Sequence, residues 1–227
     1  DGADIAIVDR EGSTMQDVAD EVSALGRKAT VFAADVTDRS QVYAAVNHAE
    51  SALGGFDIMI NNAGIAQVNP IDDVTPEEVS QILAVNVEGV LWGIQAAAAK
   101  FKQRGASTGG KGVKNSGKII NAASIAGHDG FAMLGVYCST KFAVRGLTQA
   151  AAKEYAPFGI TVNSYCPGVV GTDMWMDIDR RFAELTGAEI GETYDKFVSG
   201  ILLGRAETPD DVAGYVSYLA GPDADYM

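Results

Sequence analysis

The chain alternates between short apolar runs and longer amphipathic stretches. The apolar runs predict strands near residues 4–9, 28–33, 56–60, 117–123 and 159–165. The stretches between and after them predict helices near 13–26, 39–53, 76–103, 135–157 and 209–220. Nearly all-apolar strands that alternate with helices are typical of a parallel sheet with helices on both faces. The pattern predicts one α/β domain spanning residues 1–227.

Two helix starts and one long loop punctuate this pattern. Thr75-Pro76 and Thr208-Pro209 place Thr at the N-cap and Pro at the first helical position, with acids following. The Gly-, Ser- and Lys-rich segment from Gly105 to Lys118 predicts an extended surface loop between a helix and a strand. We assign this loop no function.

Composition narrows the classes of protein. The chain has 227 residues and a net charge of −13, which argues against nucleic acid and anionic membrane as partners because both require a basic face. Its apolar runs are too short to span a membrane. Two cysteines without framework spacing and two histidines predict a cytoplasmic protein with no structural metal.

Three residues suggest chemistry. Tyr137 and Lys141 are four positions apart in a predicted helix and so share one face, and Ser124 ends a strand-like run upstream. A cation near a phenol lowers its pKa, so Lys141 would prepare Tyr137 to exchange a proton. Ser124 could hold a substrate oxygen by a hydrogen bond. An ordinary Tyr/Lys helix face is the alternative interpretation.

Further motifs occur in a recognisable order. Asn61-Asn62-Ala63-Gly64 follows the third predicted strand, Asn86 lies in the next helix, and Pro167-Gly168 follows the fifth strand. With Ser124, Tyr137 and Lys141, this pattern resembles the classical short-chain dehydrogenases/reductases over almost the whole chain. Residues 89–96, 167–175 and 191–194 are most similar to the acetoin and 2,3-butanediol dehydrogenases, or diacetyl reductases.

The resemblance implies a Rossmann-like, doubly wound parallel sheet. The first predicted strand begins almost at residue 1, so the family's preceding strand, glycine-rich turn and helix have no place ahead of it. The family's last strand would likewise follow Met227. We therefore expect a fragment of this fold without those two parts. A non-catalytic binding or assembly subunit is one alternative that this expectation leaves open.

The resemblance also implies a nicotinamide cofactor. Asp9 ends the first predicted strand, where its carboxylate would accept hydrogen bonds from adenosine ribose hydroxyls and repel a 2′-phosphate, so NAD is favoured over NADP. Asp35 would meet the adenine amino group, and the Val36 amide a ring nitrogen. The alternatives are a turn capped by Asp9 and a helix near Arg39 capped by Asp35.

The nicotinamide end of the cofactor would lie near the later motifs. Asn62, Ala63 and Gly64 would bring backbone close to the ribose, whereas Asn61 would also brace the sheet. Lys141 would bind the ribose hydroxyls as well as act on Tyr137. The residues expected to line the nicotinamide are Pro167, Gly168, Val169 and Thr172.

The implied reaction is hydride transfer between the cofactor and a carbon that carries oxygen, with Tyr137 exchanging the proton and Ser124 positioning the oxygen. Asn86 would hold a water that relays protons from Lys141; a solvated helix residue is the alternative. The groups expected around the substrate are apolar: Ile125, Phe131 and Trp175, with Met133 and Met176 nearby.

A small, uncharged ketone or alcohol suits these side chains, although apolar loop residues often serve only packing. The resemblance favours diacetyl and acetoin reduction and 2,3-butanediol oxidation, with an S-configured product suggested by Ile125 and Phe131. Residues 173–203 would form a mobile lid. Another short-chain dehydrogenase, such as a sugar-alcohol or 3-oxoacyl reductase, is the alternative enzyme.

The family resemblance also implies a homo-oligomer, with four subunits. The Ala-rich stretches Ile94–Lys100 and Phe142–Lys153 would pack across a two-fold axis, since small side chains permit close helix approach. The same composition could instead cover the sheet.

Overall fold

The computed structural model describes residues 2–106 and 116–227. Most of the predicted loop at 105–118 lies outside these residues, although a helix reaches Ala106 and a strand begins at Gly117. The strands are β1 (Ile5–Asp9), β2 (Ala29–Ala33), β3 (Ile58–Asn61), β4 (Gly117–Ala122) and β5 (Ile160–Tyr165). The helices are α1 (Met15–Ala24), α2 (Arg39–Leu53), α3 (Pro76–Leu83), α4 (Gly89–Ala106), α5 (Gly135–Tyr155), α6 (Asp173–Thr186), α7 (Glu192–Ser199) and α8 (Pro209–Ala220).

All five strands pair in parallel, which confirms the predicted α/β class. β1 pairs with β2, and β4 lies between β3 and β5, so the described residues form two separate sheets. Parallel strands require crossover connections, and helices supply them here. The sequence therefore predicted the strands and their direction correctly.

The three-stranded sheet is covered on both faces. On one face, Ile119 of β4 and Val162 of β5 pack against Ile94 and Phe101 of α4 and Val144 of α5. On the other face, neighbouring residues of the same strands, including Ile120 and Tyr165, pack against Leu219 of α8. Successive side chains of a strand point to opposite faces, so burial on both sides explains why β4 is buried along its whole length.

A cleft of about 710 Å³ separates the two sheets. Its walls include Ile5 and Val8 from β1, Ile58 and Ile60 from β3, and Val46 from α2. The cleft continues to the carboxyl ends of β1 and β3, where Asp9 and Asn62 line it.

The predicted helix at 76–103 is interrupted by a π-helical turn. α3 passes into a wider turn at Ala84–Glu88 before α4 begins. Such turns often mark functional sites, and this one contains Asn86. By length and composition, the stretch Pro76–Arg104 could span a membrane, but half of its most apolar window is buried inside the protein, as in the core helix of a soluble domain.

Both predicted helix starts have the expected caps. The Thr75 and Thr208 hydroxyls accept hydrogen bonds from the backbone N–H groups of Glu78 and Asp211, and those acids accept in return from the two threonine N–H groups. These reciprocal capping boxes fix where α3 and α8 begin.

Candidate active site

The residue expected to exchange the proton lies near the first turn of α5. Tyr137 packs against an apolar cluster that includes Leu134 and Cys138. Burial raises the pKa of Tyr137, and a hydrogen bond with Ser124 opposes this shift. The structure thus brings the phenol and the Ser124 hydroxyl together, as expected from the sequence.

Ser124 follows β4 directly and is buried. Its extended backbone precedes a short 3₁₀ turn at Ile125–Gly127, and its hydroxyl oxygen accepts a hydrogen bond from the Ala126 N–H at 3.1 Å. A strand end followed at once by a turn holds the hydroxyl at the carboxyl edge of the sheet. Ser124 is therefore positioned by the strand that precedes it and by the turn that follows it.

Lys141 lies one turn after Tyr137, also in a buried position. Its Nζ donates to the Ala122 carbonyl at 3.0 Å and lies 5.6 Å from the centroid of the Tyr137 ring. Burial lowers the pKa of Lys141 to about 8. Burial is the largest influence on the Tyr137 pKa, followed by Ser124 and Cys138, and the expected lowering of that pKa by Lys141 stays a prediction.

Gly64 leaves room beside Lys141. A Cβ atom at this glycine would lie 3.5 Å from Lys141 Nζ and 3.4 Å from Asn86 Oδ1. A larger side chain would fill the space in front of the ammonium. The absence of a side chain at Gly64 therefore leaves the Lys141 ammonium and the Asn86 side chain uncovered on this side.

Asn86 holds the loop after β3 in place. Its side chain accepts from the Ile65 N–H at 2.8 Å, donates to the Ile65 carbonyl at 2.9 Å, and donates to Thr140 Oγ1 at 3.1 Å. Because Asn86 is only 1% exposed, the alternative of a solvated helix residue is wrong. The described side-chain bonds position the Asn61–Gly64 loop relative to α5, and the expected water relay stays a prediction.

The two asparagines of the motif after β3 serve as braces. Asn61 donates to Asn121 Oδ1 at 2.8 Å, and Asn121 donates to Thr148 Oγ1 at 3.0 Å, which links β3, β4 and α5. Asn62 accepts from the Tyr165 hydroxyl at 2.6 Å. The structural role proposed for Asn61 from the sequence agrees with these contacts.

The residues expected at the adenosine end line the start of the cleft. Asp9 is exposed at the end of β1, and one of its oxygens accepts from the Arg10 N–H at 2.7 Å. Asp35 accepts from the N–H and hydroxyl of Thr37, and these bonds lower its pKa. The alternative that Asp35 caps α2 is wrong, because Asp38 is the N-cap. Val36 also lines the cleft.

The loop expected beside the nicotinamide follows β5. The Pro167 carbonyl accepts from the Ile125 N–H at 2.9 Å, so this loop lies directly against the residue after Ser124. Gly168 and buried Val169 bond with Glu207, and Thr172 is the exposed N-cap of α6.

Two helices form the segment predicted as a lid. An aromatic cluster joins them to the site: the Phe197 ring of α7 lies 5.2 Å from that of Trp175 on α6 and 5.8 Å from that of Phe131, between centroids. Phe131, Trp175 and Tyr137 all pack on one apolar core, to which Met133 also belongs. The structure thus brings together two of the three apolar residues predicted to bind the substrate, Phe131 and Trp175.

The other members of the predicted substrate set differ. Ile125 is 37% exposed and lies outside this core, although it remains next to Ser124. Met176 was expected near the reacting carbon, but it is 66% exposed, because it follows Trp175 on α6 and faces away from the cluster. Sequence reasoning missed Phe197 as a contributor. The aromatic pair at positions 194 and 197, on one face of a helix, was a usable signal.

The polar side chains at the carboxyl ends of parallel strands, beside a cleft between two sheets, define the class of protein. This is the architecture of dinucleotide-dependent oxidoreductases. A family model described as short chain dehydrogenase matches residues 1–182, and the chain belongs to this family.

Characterised relatives are similar over the full chain. The chain is 47% identical to L-2,3-butanediol dehydrogenase of Corynebacterium glutamicum, with 100% of the chain and 85% of the relative covered. It is 43% identical to a diacetyl reductase, (S)-acetoin forming, of Staphylococcus epidermidis, with the same coverage of both chains. The identity is high enough to place all three proteins in one family.

Solved structures give the same fold. An NAD⁺-bound xylitol dehydrogenase superposes with a TM-score of 0.89 at 25% identity, covering 98% of this chain and 84% of that one. A 3-ketoacyl-(acyl-carrier-protein) reductase of Brucella melitensis, complexed with NADH, gives 0.83 at 32% identity, covering 100% and 84%. Family members thus bind nicotinamide cofactors.

Proposed function

We propose that this protein is an NAD-dependent reductase of diacetyl and acetoin that oxidises 2,3-butanediol in the reverse direction. The observation that carries this proposal is the position of Tyr137, which lies close enough to Ser124 for this residue to lower its pKa and packs on the same apolar core as Phe131 and Trp175. A proton donor beside aromatic side chains suits a small ketone. The names of the two characterised relatives support the same substrates.

The described residues suit a nicotinamide dinucleotide. An exposed carboxylate, Asp9, lies at one end of the cleft, and the buried ammonium of Lys141 lies beside Gly64. A carboxylate accepts from ribose hydroxyls and repels a 2′-phosphate, which favours NAD. An ammonium offers three donors to the second ribose. Asp35 and Val36 would contact the adenine, and Asn62 and Ala63 a ribose of the cofactor. The residues that would line the nicotinamide are Pro167, Gly168, Val169 and Thr172.

The chain's own groups would hold the substrate and move one proton. The Ser124 hydroxyl donates to the ketone oxygen, and Tyr137 Oη delivers its proton to that oxygen as negative charge develops there. The Lys141 ammonium, 5.6 Å from the centroid of the Tyr137 ring, would favour the tyrosinate electrostatically. Asn86 fixes the loop that carries Gly64 and would order a water that returns the proton. NADH, when bound, supplies the hydride.

Substrate size follows from the aromatic cluster. Phe131, Trp175 and Phe197 enclose the side of the site facing the lid, and Ile125 borders Ser124. Apolar walls favour a compact uncharged molecule over one with a carboxylate, because a buried carboxylate needs a cationic partner. Ile125 and Phe131 would also favour an S-configured product. Opening of α6 and α7 would admit the substrate.

A substrate panel tests this proposal. NADH oxidation by the purified protein is measured with diacetyl, acetoin, a 3-oxoacyl thioester and a sugar ketone, at matched concentrations. We expect the highest kcat/KM with diacetyl. A higher kcat/KM with the thioester or the sugar ketone would assign the protein to another reductase class of this family. Product configuration is then read by chiral chromatography.

We further propose a cytoplasmic homotetramer. Ile94, Ala97 and Ala98 of α4 are buried within the chain, so this part of the stretch covers the sheet. Phe142 of α5 is 46% exposed and is available for contact with a second subunit. Light scattering measures the mass, and Phe142→Asp should reduce it if α5 forms the interface.

A further inference from the structure

The two ends of the lid segment meet at one residue. α6 leaves the core after Thr172, and the chain returns at Glu207, one residue before the N-cap of α8. Val170 and Glu207 form an isolated parallel bridge. The Glu207 N–H donates to the Val169 carbonyl at 2.8 Å, and the Gly171 N–H donates to the Glu207 carbonyl at 3.0 Å. The backbone of Glu207 thus closes the lid segment at its base.

The side chain of Glu207 adds a third contact. Its Oε1 accepts from the Gly168 N–H at 3.0 Å. A Cβ atom at Gly168 would lie 3.1 Å from this oxygen, which is tighter than ordinary van der Waals contact. Because Gly168 has no side chain, the Glu207 carboxylate can approach the Gly168 N–H closely. A hydrogen bond to an ionised acceptor is stronger than one between neutral groups.

Glu207 is itself held from both sides. Arg205 forms a two-point ion pair with Asp211 on α8, at 2.6 Å and 3.0 Å. The Arg205 guanidinium holds the pKa of the Asp211 carboxyl well below its usual range. Thr208 shares Asp211 through the capping box. Arg205 and Thr208, which lie on either side of Glu207 in the chain, both bond to Asp211 at the start of α8. The Glu207 carboxylate is therefore held in position against the loop that it contacts.

The loop transmits this position to the reaction site. Pro167, next to Gly168, accepts from the Ile125 N–H at 2.9 Å, and Ile125 is joined to Ser124. Hydrogen bonds and the intervening chain therefore connect Glu207, just before α8, through the 167–171 backbone to Ile125, the residue after Ser124.

We propose that Glu207 is a positioning residue that sets the 167–171 backbone against Ser124, and so fixes the nicotinamide side of the site. This proposal rests on the function proposed above, since it assigns the loop to the cofactor. Glu207 does not contact the reacting atoms. Its carboxylate acts through Gly168, and a shift of the loop would misplace both the cofactor contact and the hydroxyl that holds the ketone.

Two substitutions separate position from charge. Glu207→Ala removes the acceptor for Gly168, whereas Glu207→Gln retains an oxygen at the same place without the charge. Asp4→Ala is a matched control, because Asp4 also accepts a backbone N–H, from Lys28 at 2.9 Å, but near the opposite end of β1 from Asp9. It reports the effect of losing a carboxylate–backbone bond away from the site.

Hydrogen exchange and kinetics give the readouts. In Glu207→Ala we expect faster amide exchange in residues 165–172, a roughly 10-fold lower kcat with diacetyl and weaker NADH binding. Glu207→Gln should restore most of each value, and Asp4→Ala should leave kcat and the exchange of 165–172 unchanged. Wild-type exchange and kcat in Glu207→Ala, or equal losses in both Glu207 variants, would overturn the proposal. If wild type fails to reduce diacetyl, the proposed function fails, whereas the exchange of 165–172 still decides the role of Glu207.

Discussion

Asp179 on α6 accepts a hydrogen bond from the backbone N–H of Tyr194 on α7, at 2.9 Å, and a second from the Gly191 N–H at 2.5 Å. The carboxylate is only 4% exposed. It therefore satisfies two N–H groups at the beginning of α7 that have no partner within that helix, where the helix dipole also favours negative charge. This relationship docks α7 on α6 and so places Phe197 against Trp175.

Replacing Asp179 should loosen the lid. Asp179→Ala leaves two half-buried N–H groups without their acceptor, at a cost of about 1–3 kcal/mol. For a chain of this size we expect the melting temperature to fall by roughly 2–12 °C. The KM for diacetyl should rise, because Trp175 and Phe197 lose their mutual position, while NADH affinity stays close to normal.

Asp177→Ala provides the control for this experiment. Asp177 lies two residues earlier on α6, is exposed, and pairs with Arg180. Surface ion pairs contribute little, so stability and KM should stay near wild type. An unchanged KM in Asp179→Ala would show that the aromatic cluster does not contact the substrate.

Tyr137→Phe should lower kcat by about 10²- to 10⁴-fold, because it removes the transferable proton and leaves the ring in its apolar contacts. Stopped-flow kinetics measure the reduction, and fluorescence titration should show unchanged NADH affinity. Tyr155→Phe, at the other end of α5, controls for loss of a hydroxyl and should retain activity. Substantial turnover by Tyr137→Phe would remove Tyr137 from its proposed role.

Asp9→Ala should shift cofactor preference towards NADPH. The substitution removes the charge that opposes a 2′-phosphate and the acceptor for the ribose hydroxyls, so kcat/KM should rise for NADPH and fall for NADH. Glu21→Ala on α1 makes the same charge change away from the end of β1 and should leave the ratio unchanged. A wild-type protein that already prefers NADPH would contradict the role given to Asp9.

The strands and most helices were predictable because their signals are local. β4 is buried on both faces and carries Ile119 and Ile120 at its centre, and Thr75 and Thr208 mark helix starts by residue type alone. The same locality explains why Ser124 and Tyr137 could be paired, since a strand end and the next helix must be close in a parallel fold. The sequence thus predicted which elements carry the site.

Contacts between distant segments were not predictable in the same way. Glu207 and Gly168 are 39 residues apart, and neither residue type indicates that the two are hydrogen-bonded to each other. The direction of Lys141 also depends on the Ala122 carbonyl, which any residue at that position would offer. The spacing of Tyr137 and Lys141 gave a shared helix face but not the distance between their charged groups. Such features arise from packing, which a one-dimensional pattern does not specify.

The last prediction concerns pH. Burial lowers the pKa of Lys141 to about 8, from 10.5 when unperturbed. As pH rises through about 8, the folded protein loses the ammonium charge and one N–H donor. NADH affinity should therefore weaken between about pH 7 and about pH 9, and binding near pH 8 should take up protons.

The contribution of Lys141 to the free energy of unfolding should instead rise with pH above about pH 8. Between about 8 and 10.5 the unfolded chain holds the Lys141 proton and the folded chain does not, so this group makes the free energy of unfolding rise with pH. Fluorescence titration of NADH and urea unfolding, each at several pH values, measure the two trends. Lys141→Met should remove both, whereas Lys153→Met, near the end of the same helix, should leave them in place. A constant NADH affinity across pH 8 would show that the Lys141 ammonium does not hold the cofactor.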